Sequence, residues 1–130
     1  MPTRREYARA AELREALRLF QRKTEEVTAA HRLTPRLYQL LLMIKTSRNQ
    51  DEHTGLTELE ERLQLGKSTV TELVLRAEKR GLVRRELDRQ RGRGISISLT
   101  TTGQRRLAAA LAELGDERRR LINILGQRAT

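Results

Sequence analysis

Residues 57–81, TELEERLQLGKSTVTELVLRAEKRG, constrain this chain most. Leu59 and Leu63 stand one helical turn apart, Gln64-Leu65-Gly66 interrupts the pattern, and Val70, Leu73, Val74 and Ala77 resume it. Thr57 and Glu60 have capping-box spacing, which predicts a helix start just before Leu59. Lys67 opens the second helix. Gly81 suits its C-cap, and Lys79 and Arg80 complement its dipole. Two short helices joined by a tight turn follow. The second buries one face and turns Lys67, Ser68, Thr69, Glu72 and Arg76 outward. Helix pairs of this kind also occur in proteins that touch no nucleic acid, so the neighbouring segments decide.

Directly behind the pair, LVRRELD (82–88) suits a strand, and ISISL (95–99) alternates cleanly enough for a second with one buried face. Between them RQRGRG sets Arg89, Arg91 and Arg93 at every other position, with Gly92 and Gly94 supplying flexibility. A basic hairpin after a helix-turn-helix is a winged helix. Its tip can follow phosphates or place Arg in a narrow minor groove, where the negative potential is enhanced. Lys and Arg number 27 against 17 Asp and Glu, a net charge of +10, which favours a polyanionic partner. Charge alone also serves solubility. Helix, hairpin and charge together point to double-stranded DNA, with the small polar side chains of 67–76 reaching base edges.

The flanks read as equipment for pairing two such surfaces. Residues 3–31 lack Gly and Pro, and Ala10, Leu13, Leu17, Phe20, Thr24, Val27 and His31 recur at alternating three- and four-residue steps. That helix would span roughly 42 Å, against a radius of gyration of roughly 14 Å for a domain this size. One end should project with an apolar stripe to cover. A second copy of the chain is the expected cover; the alternative is a helix folded back across its own domain. Thr34 and Pro35 suit the N-cap and first position of the next helix. Its Leu37, Tyr38, Leu40, Leu41, Leu42, Met43 and Ile44 are apolar nearly all round, so it belongs in the core. Tyr38 reads first as a core residue with its hydroxyl at a boundary, and second as part of a ligand pocket. Residues 47–55 read as an exposed loop with His53 solvated.

From Gly103 the pattern is helical again. Leu107, Leu111, Leu114, Leu121, Ile122 and Leu125 form a seam through Arg118, and Gly115 marks a kink. This helix should pack beside the first and complete a dimerisation layer. Leu13, Leu17, Phe20, Leu114, Leu121 and Leu125 are its expected contacts. Arg118, Arg119 and Arg120 read as a solvated face.

Several classes of function are excluded or left without support. The chain has no Cys, so disulfides and thiolate metal sites are ruled out, and two distant His suggest no metal cluster. No nucleophile–base pairing, P-loop or metal spacing is present, so neither an enzyme nor a cofactor is expected. No run reaches transmembrane length and the N-terminus has no apolar signal region, so a cytoplasmic protein is expected. Charges scattered around the first helix argue against a membrane surface as partner.

LTELEERLQLGKSTVTELVLRAEKRGLVRRELD followed by RGISISLTTTG resembles the core of MarR-type transcriptional regulators, over roughly residues 37–111. The order carries the resemblance: helix-turn-helix, GLV, an Asp near the wing, Arg-Gly, then LT-x-x-G. It implies a homodimeric winged helix-turn-helix repressor or activator, often relieved by a small phenolic or amphipathic ligand. It further implies recognition-helix contacts for Lys67, Ser68, Thr69, Thr71, Glu72 and Arg76, a minor-groove wing arginine at Arg93, and an acidic wing support at Asp88. Two positions depart from the family's pattern. Arg91 and Gly92 stand where an Asp followed by a basic residue is common, and Glu72 stands where a basic residue is frequent. Glu72 either pairs with Arg76 one turn on, or accepts from a cytosine amino group while Arg76 holds phosphate.

The expected fold is therefore mainly α with a small β-hairpin, a single domain over 1–130. Its winged helix-turn-helix (34–100) is flanked by dimerisation helices (1–33 and 101–130). The expected function is a sequence-specific, homodimeric DNA-binding transcriptional regulator, a repressor relieved by a small aromatic or amphipathic effector at Tyr38. Two alternatives stand beside it: an architectural DNA binder of low specificity, and a winged-helix module for an acidic protein or RNA.

Overall fold

The computed structural model describes residues 1–88 and 94–129, with side chains through residue 126. Arg89, Arg91 and Arg93 lie outside the described residues. In chain order the elements are α1 (Arg4–Ala30), α2 (Pro35–Lys45), α3 (Leu56–Leu63), α4 (Lys67–Lys79), β1 (Val83–Leu87), β2 (Ile95–Leu99), α5 (Thr101–Glu113) and α6 (Gly115–Ala129). The fold is the mainly helical one with a β-hairpin that the sequence leads one to expect.

The apolar run of α2 lies at the centre. The Thr34 hydroxyl accepts the Leu37 N–H at 3.1 Å, and Pro35 fills the first turn. Leu37, Leu40, Leu41 and Ile44 have no solvent exposure, because α1, α3, α4, α5 and β2 all pack against α2. Each such side chain contributes roughly 1.5–3 kcal/mol through burial.

A capping box of Thr3 and Glu6, a signal passed over in the sequence, starts α1. Its C-terminal third docks on the domain through buried Thr24, Val27 and Thr28, whereas residues 4–12 are exposed throughout. One end of the helix is thus folded in and the other overhangs. α6 packs along it. The kink expected at Gly115 is a full break: Leu114 ends α5 and Gly115 begins α6.

Two local expectations need correction. α3 begins at Leu56 with Gly55 as N-cap, and no side chain caps it; Thr57 is already inside the helix. Residues 47–55 are not simply an exposed loop, since Ser47 and Thr54 are buried. The start of α3 and the burial of Thr54 follow from one contact. Thr54 exchanges backbone hydrogen bonds with Ile97 of β2, at 3.0 and 2.8 Å, which pins the chain against the sheet one residue before the α3 cap. The Ser47 hydroxyl accepts the Glu52 N–H at 2.9 Å and orders the turn behind it. His53 is exposed but lies 3.1 Å from the Ser96 hydroxyl.

β1 and β2 pair antiparallel with Val83 opposite Leu99, Arg85 opposite Ile97 and Leu87 opposite Ile95. Below the hairpin, the two ends of the GLV and LT-x-x-G motifs meet. Gly81 adopts φ +73°, the left-handed turn that ends α4. The Thr100 hydroxyl donates to the Gly81 carbonyl at 2.6 Å and accepts the Gly103 N–H at 3.0 Å, and the Thr100 N–H donates to the Leu82 carbonyl at 3.0 Å. Gly103 is required because a Cβ there would overlap the Leu82 carbonyl oxygen. Helix propensity alone makes Gly103→Ala stabilising by about 1 kcal/mol. The overlap reverses the sign, and a net loss of about 1–3 kcal/mol is expected from the shift of the urea midpoint at unchanged m.

Candidate nucleic-acid interface

The amphipathic pattern of α4 settles which side faces out. Val70, Leu73, Val74 and Ala77 are buried against the core. Lys67, Ser68, Glu72 and Arg76 are exposed, and Thr69 and Thr71 are half-buried at the margin. The six residues expected to contact DNA on this helix therefore form one continuous outward strip. Gln64 in the left-handed conformation (φ 55°) makes the turn that sets α4 against α3.

Two arginines that sequence reasoning missed hold this strip in place. Arg62 of α3 reaches the open end of α2, donating to the Met43 and Thr46 carbonyls and to the Thr46 hydroxyl, each at 2.9 Å, with Glu58 at 3.2 Å. It supplies donors to carbonyls that the helix end leaves unpaired. Arg85 of β1 pairs with Glu78 of α4 at 2.9 Å, and that hydrogen bond raises the guanidinium pKa further above its ordinary value. Both contacts join consecutive elements across a turn, at separations that helical and strand periodicity do not register. Leu75, 44% exposed on the outward side of α4, was also missed; its position three residues after Glu72 was the available signal.

Glu72 and Arg76 approach to 3.9 Å with both side chains largely in water, a loose ion pair rather than a hydrogen bond. Asp88 extends the hairpin beyond the strands, its N–H donating to the Gly94 carbonyl at 3.1 Å.

The expected dimer contacts fall into two groups. Leu13, Leu17, Phe20 and Leu121 are half-buried and Leu125 is exposed, as are Tyr7, Leu19 and Ile122. Leu114, by contrast, is buried in the core of the single chain. Arg118 departs from the solvated face expected of it. It is half-buried and, with Tyr38, Phe20, Thr24, Leu42 and Leu111, lines a cavity of about 360 Å³ between α1, α2 and the α5–α6 break. Arg119 and Arg120 are exposed and pair with Asp116 and Glu117. Burial raises the Tyr38 hydroxyl pKa above its ordinary value, and the nearby Arg118 charge partly offsets this.

Among the described residues there is no group of three or more metal-ligating side chains, and no helix is long and apolar enough to cross a membrane.

No family model and no curated protein matches the sequence. Solved structures do match the fold. AbsC, a MarR family transcriptional regulator from Streptomyces coelicolor, is 23% identical, with a TM-score of 0.81 over 96% of this chain and 83% of that one. Sco3205, a MarR family regulator from the same organism solved in complex with DNA, is 25% identical, with a TM-score of 0.77 over 94% and 76%. A mutant MarR from E. coli complexed with operator DNA is 19% identical, with a TM-score of 0.72 over 86% and 78%. The resemblance carried by the motif order thus holds at the level of the fold.

The buried Tyr38 gives a pH signature. Its pKa is raised on folding, so the native state keeps the proton that the unfolded chain loses near pH 10. The unfolded state then binds fewer protons, and stability falls as pH rises from about 10 through the folded value. Tyr38→Phe should flatten that decline in thermal-midpoint profiles taken between pH 9 and about 11.

Proposed function

We propose that this chain, which has the winged helix-turn-helix fold of MarR family transcriptional regulators, is a homodimeric, sequence-specific regulator that binds double-stranded DNA. The observation that carries the reading is the outward strip of α4, with buried aliphatics behind it and a paired hairpin beside it. Side chains from Lys67 to Arg76 supply selectivity in a major groove. Arg89, Arg91 and Arg93 supply affinity and register, and Asp88 supports the wing between them. The net charge of +10 agrees with a polyanionic partner, and so do the DNA complexes of Sco3205 and MarR. A cytoplasmic site of action belongs to the same proposal.

Pairing of two copies is supported by the partly exposed apolar seam of Leu13, Leu17, Phe20, Leu121 and Leu125 along α1 and α6. With two copies related by a two-fold axis, the recognition helices meet half-sites roughly 34–36 Å apart. Repression relieved by a small aromatic or amphipathic effector is supported by the cavity at Tyr38, whose volume lies within the range of small-molecule sites. That cavity touches both the α1–α6 layer and α2, on which α3 and α4 rest.

Duplexes selected from a randomised pool, competed at fixed salt against random duplex, test the reading. A selected sequence bound about 10³-fold or more tightly than random DNA is expected. Equal affinity for both would leave an architectural DNA binder. No measurable DNA affinity would leave the winged-helix module for an acidic protein or RNA.

A further inference from the structure

Arg36 stands in the first turn of α2, directly after Pro35. Electrostatically this is the wrong end of a helix for a cation, because the N-terminus carries partial positive charge. No acidic residue in the first turn of α2 offsets it. Arg36 is exposed, and among the described residues its side chain makes no ion pair or hydrogen bond. It is not holding the fold together through charge.

Its surroundings are specific. Arg36 lines a notch of about 80 Å³ with Thr69, Glu72, Leu73 and Arg76 of α4. Buried Leu73 belongs to the core beneath the notch, while Arg36, Glu72 and Arg76 are exposed around it. Two guanidiniums and one carboxylate thus line the notch at the edge of the outward strip, and the ion pair between Glu72 and Arg76 is loose, at 3.9 Å. A cation set against a helix dipole without an intramolecular partner makes sense if its partner is an anion bound from outside.

We propose that Arg36 is a DNA-backbone contact outside the recognition helix, holding a phosphate jointly with Arg76 across this notch. The proposal rests on the DNA-binding reading above and assigns a residue that reading does not include. The guanidinium fork suits phosphate oxygens. A phosphate there fixes the lateral position of α4 in its groove. It also draws Arg76 away from its loose pairing and frees the Glu72 carboxylate to accept from a cytosine amino group. Arg36 is in this account a positioning residue: it carries no base preference of its own.

The test is the salt dependence of binding by the full chain, measured for wild type, Arg36→Gln, Arg36→Lys and Arg36→Glu on a selected and a random duplex. Arg36→Gln should weaken both duplexes by a similar factor. It should also lower the slope of log affinity against log salt by about one per protomer, roughly two per dimer. Arg36→Lys should keep the wild-type slope. Arg36→Glu suits the helix dipole, so it should fold at least as stably as wild type while binding DNA more weakly than Arg36→Gln. Unchanged slope and affinity in Arg36→Gln, with wild type binding DNA, would overturn this proposal alone. A loss confined to the selected duplex would overturn it too, by making Arg36 a base reader. Wild type without DNA affinity would overturn both readings.

Discussion

The structure depends on α2 being surrounded. Its four fully buried aliphatic side chains receive α1, α3, α4, α5 and β2 on different sides, so one eleven-residue helix locates nearly every other element. Water is excluded from the face of α2 that carries these side chains, while Arg36 and Gln39 stay exposed, and the polar groups of its ends find partners elsewhere. Thr34 provides one at the start and Arg62 provides several at the finish. A chain with 34% charged and 2% aromatic residues has few alternatives for building a core. Concentrating Leu and Ile on one central helix is its solution.

Around that hub, polar contacts fix directions. The junction of Gly81, Leu82, Thr100 and Gly103 ties the end of α4 to the start of α5, so the hairpin leaves and re-enters the body at one point. Thr54 adds a third backbone line to the hairpin base, and Arg85 ties β1 to α4. The outward strip of α4 is therefore held from beneath, from the turn before it and from the strand after it. Such support suits a surface that must match a rigid partner to within a fraction of an ångström.

Much of this was legible in the sequence, and the exceptions have physical causes. Periodicity placed α1, α4 and β2 because each buries one face, and α2 because it is apolar over most of its surface; β1, exposed beyond Val83, has no such pattern. The capping box assigned to Thr57 and Glu60 failed because a long-range contact won over local chemistry: the Thr54–Ile97 bridge puts Gly55 at the cap. The same bridge turned an apparently exposed loop into a partly buried one. Arg118 read as solvated from its neighbours Arg119 and Arg120, but the break at Leu114 rotates it beside Tyr38. The six α4 residues expected to contact DNA share its outward side as the pattern implies, whereas Arg36, proposed as a phosphate contact, comes from another helix and carried no local signal.

The central claim is that the outward strip of α4 enters a major groove and that a two-fold pair of chains presents two such strips. Hydroxyl-radical and methylation footprinting of the wild-type protein on a selected duplex tests it most directly. The account predicts two protected patches on one face of the duplex, with guanine N7 positions shielded in major grooves about 10 base pairs apart. Uniform protection along the backbone with guanine N7 fully reactive would contradict it.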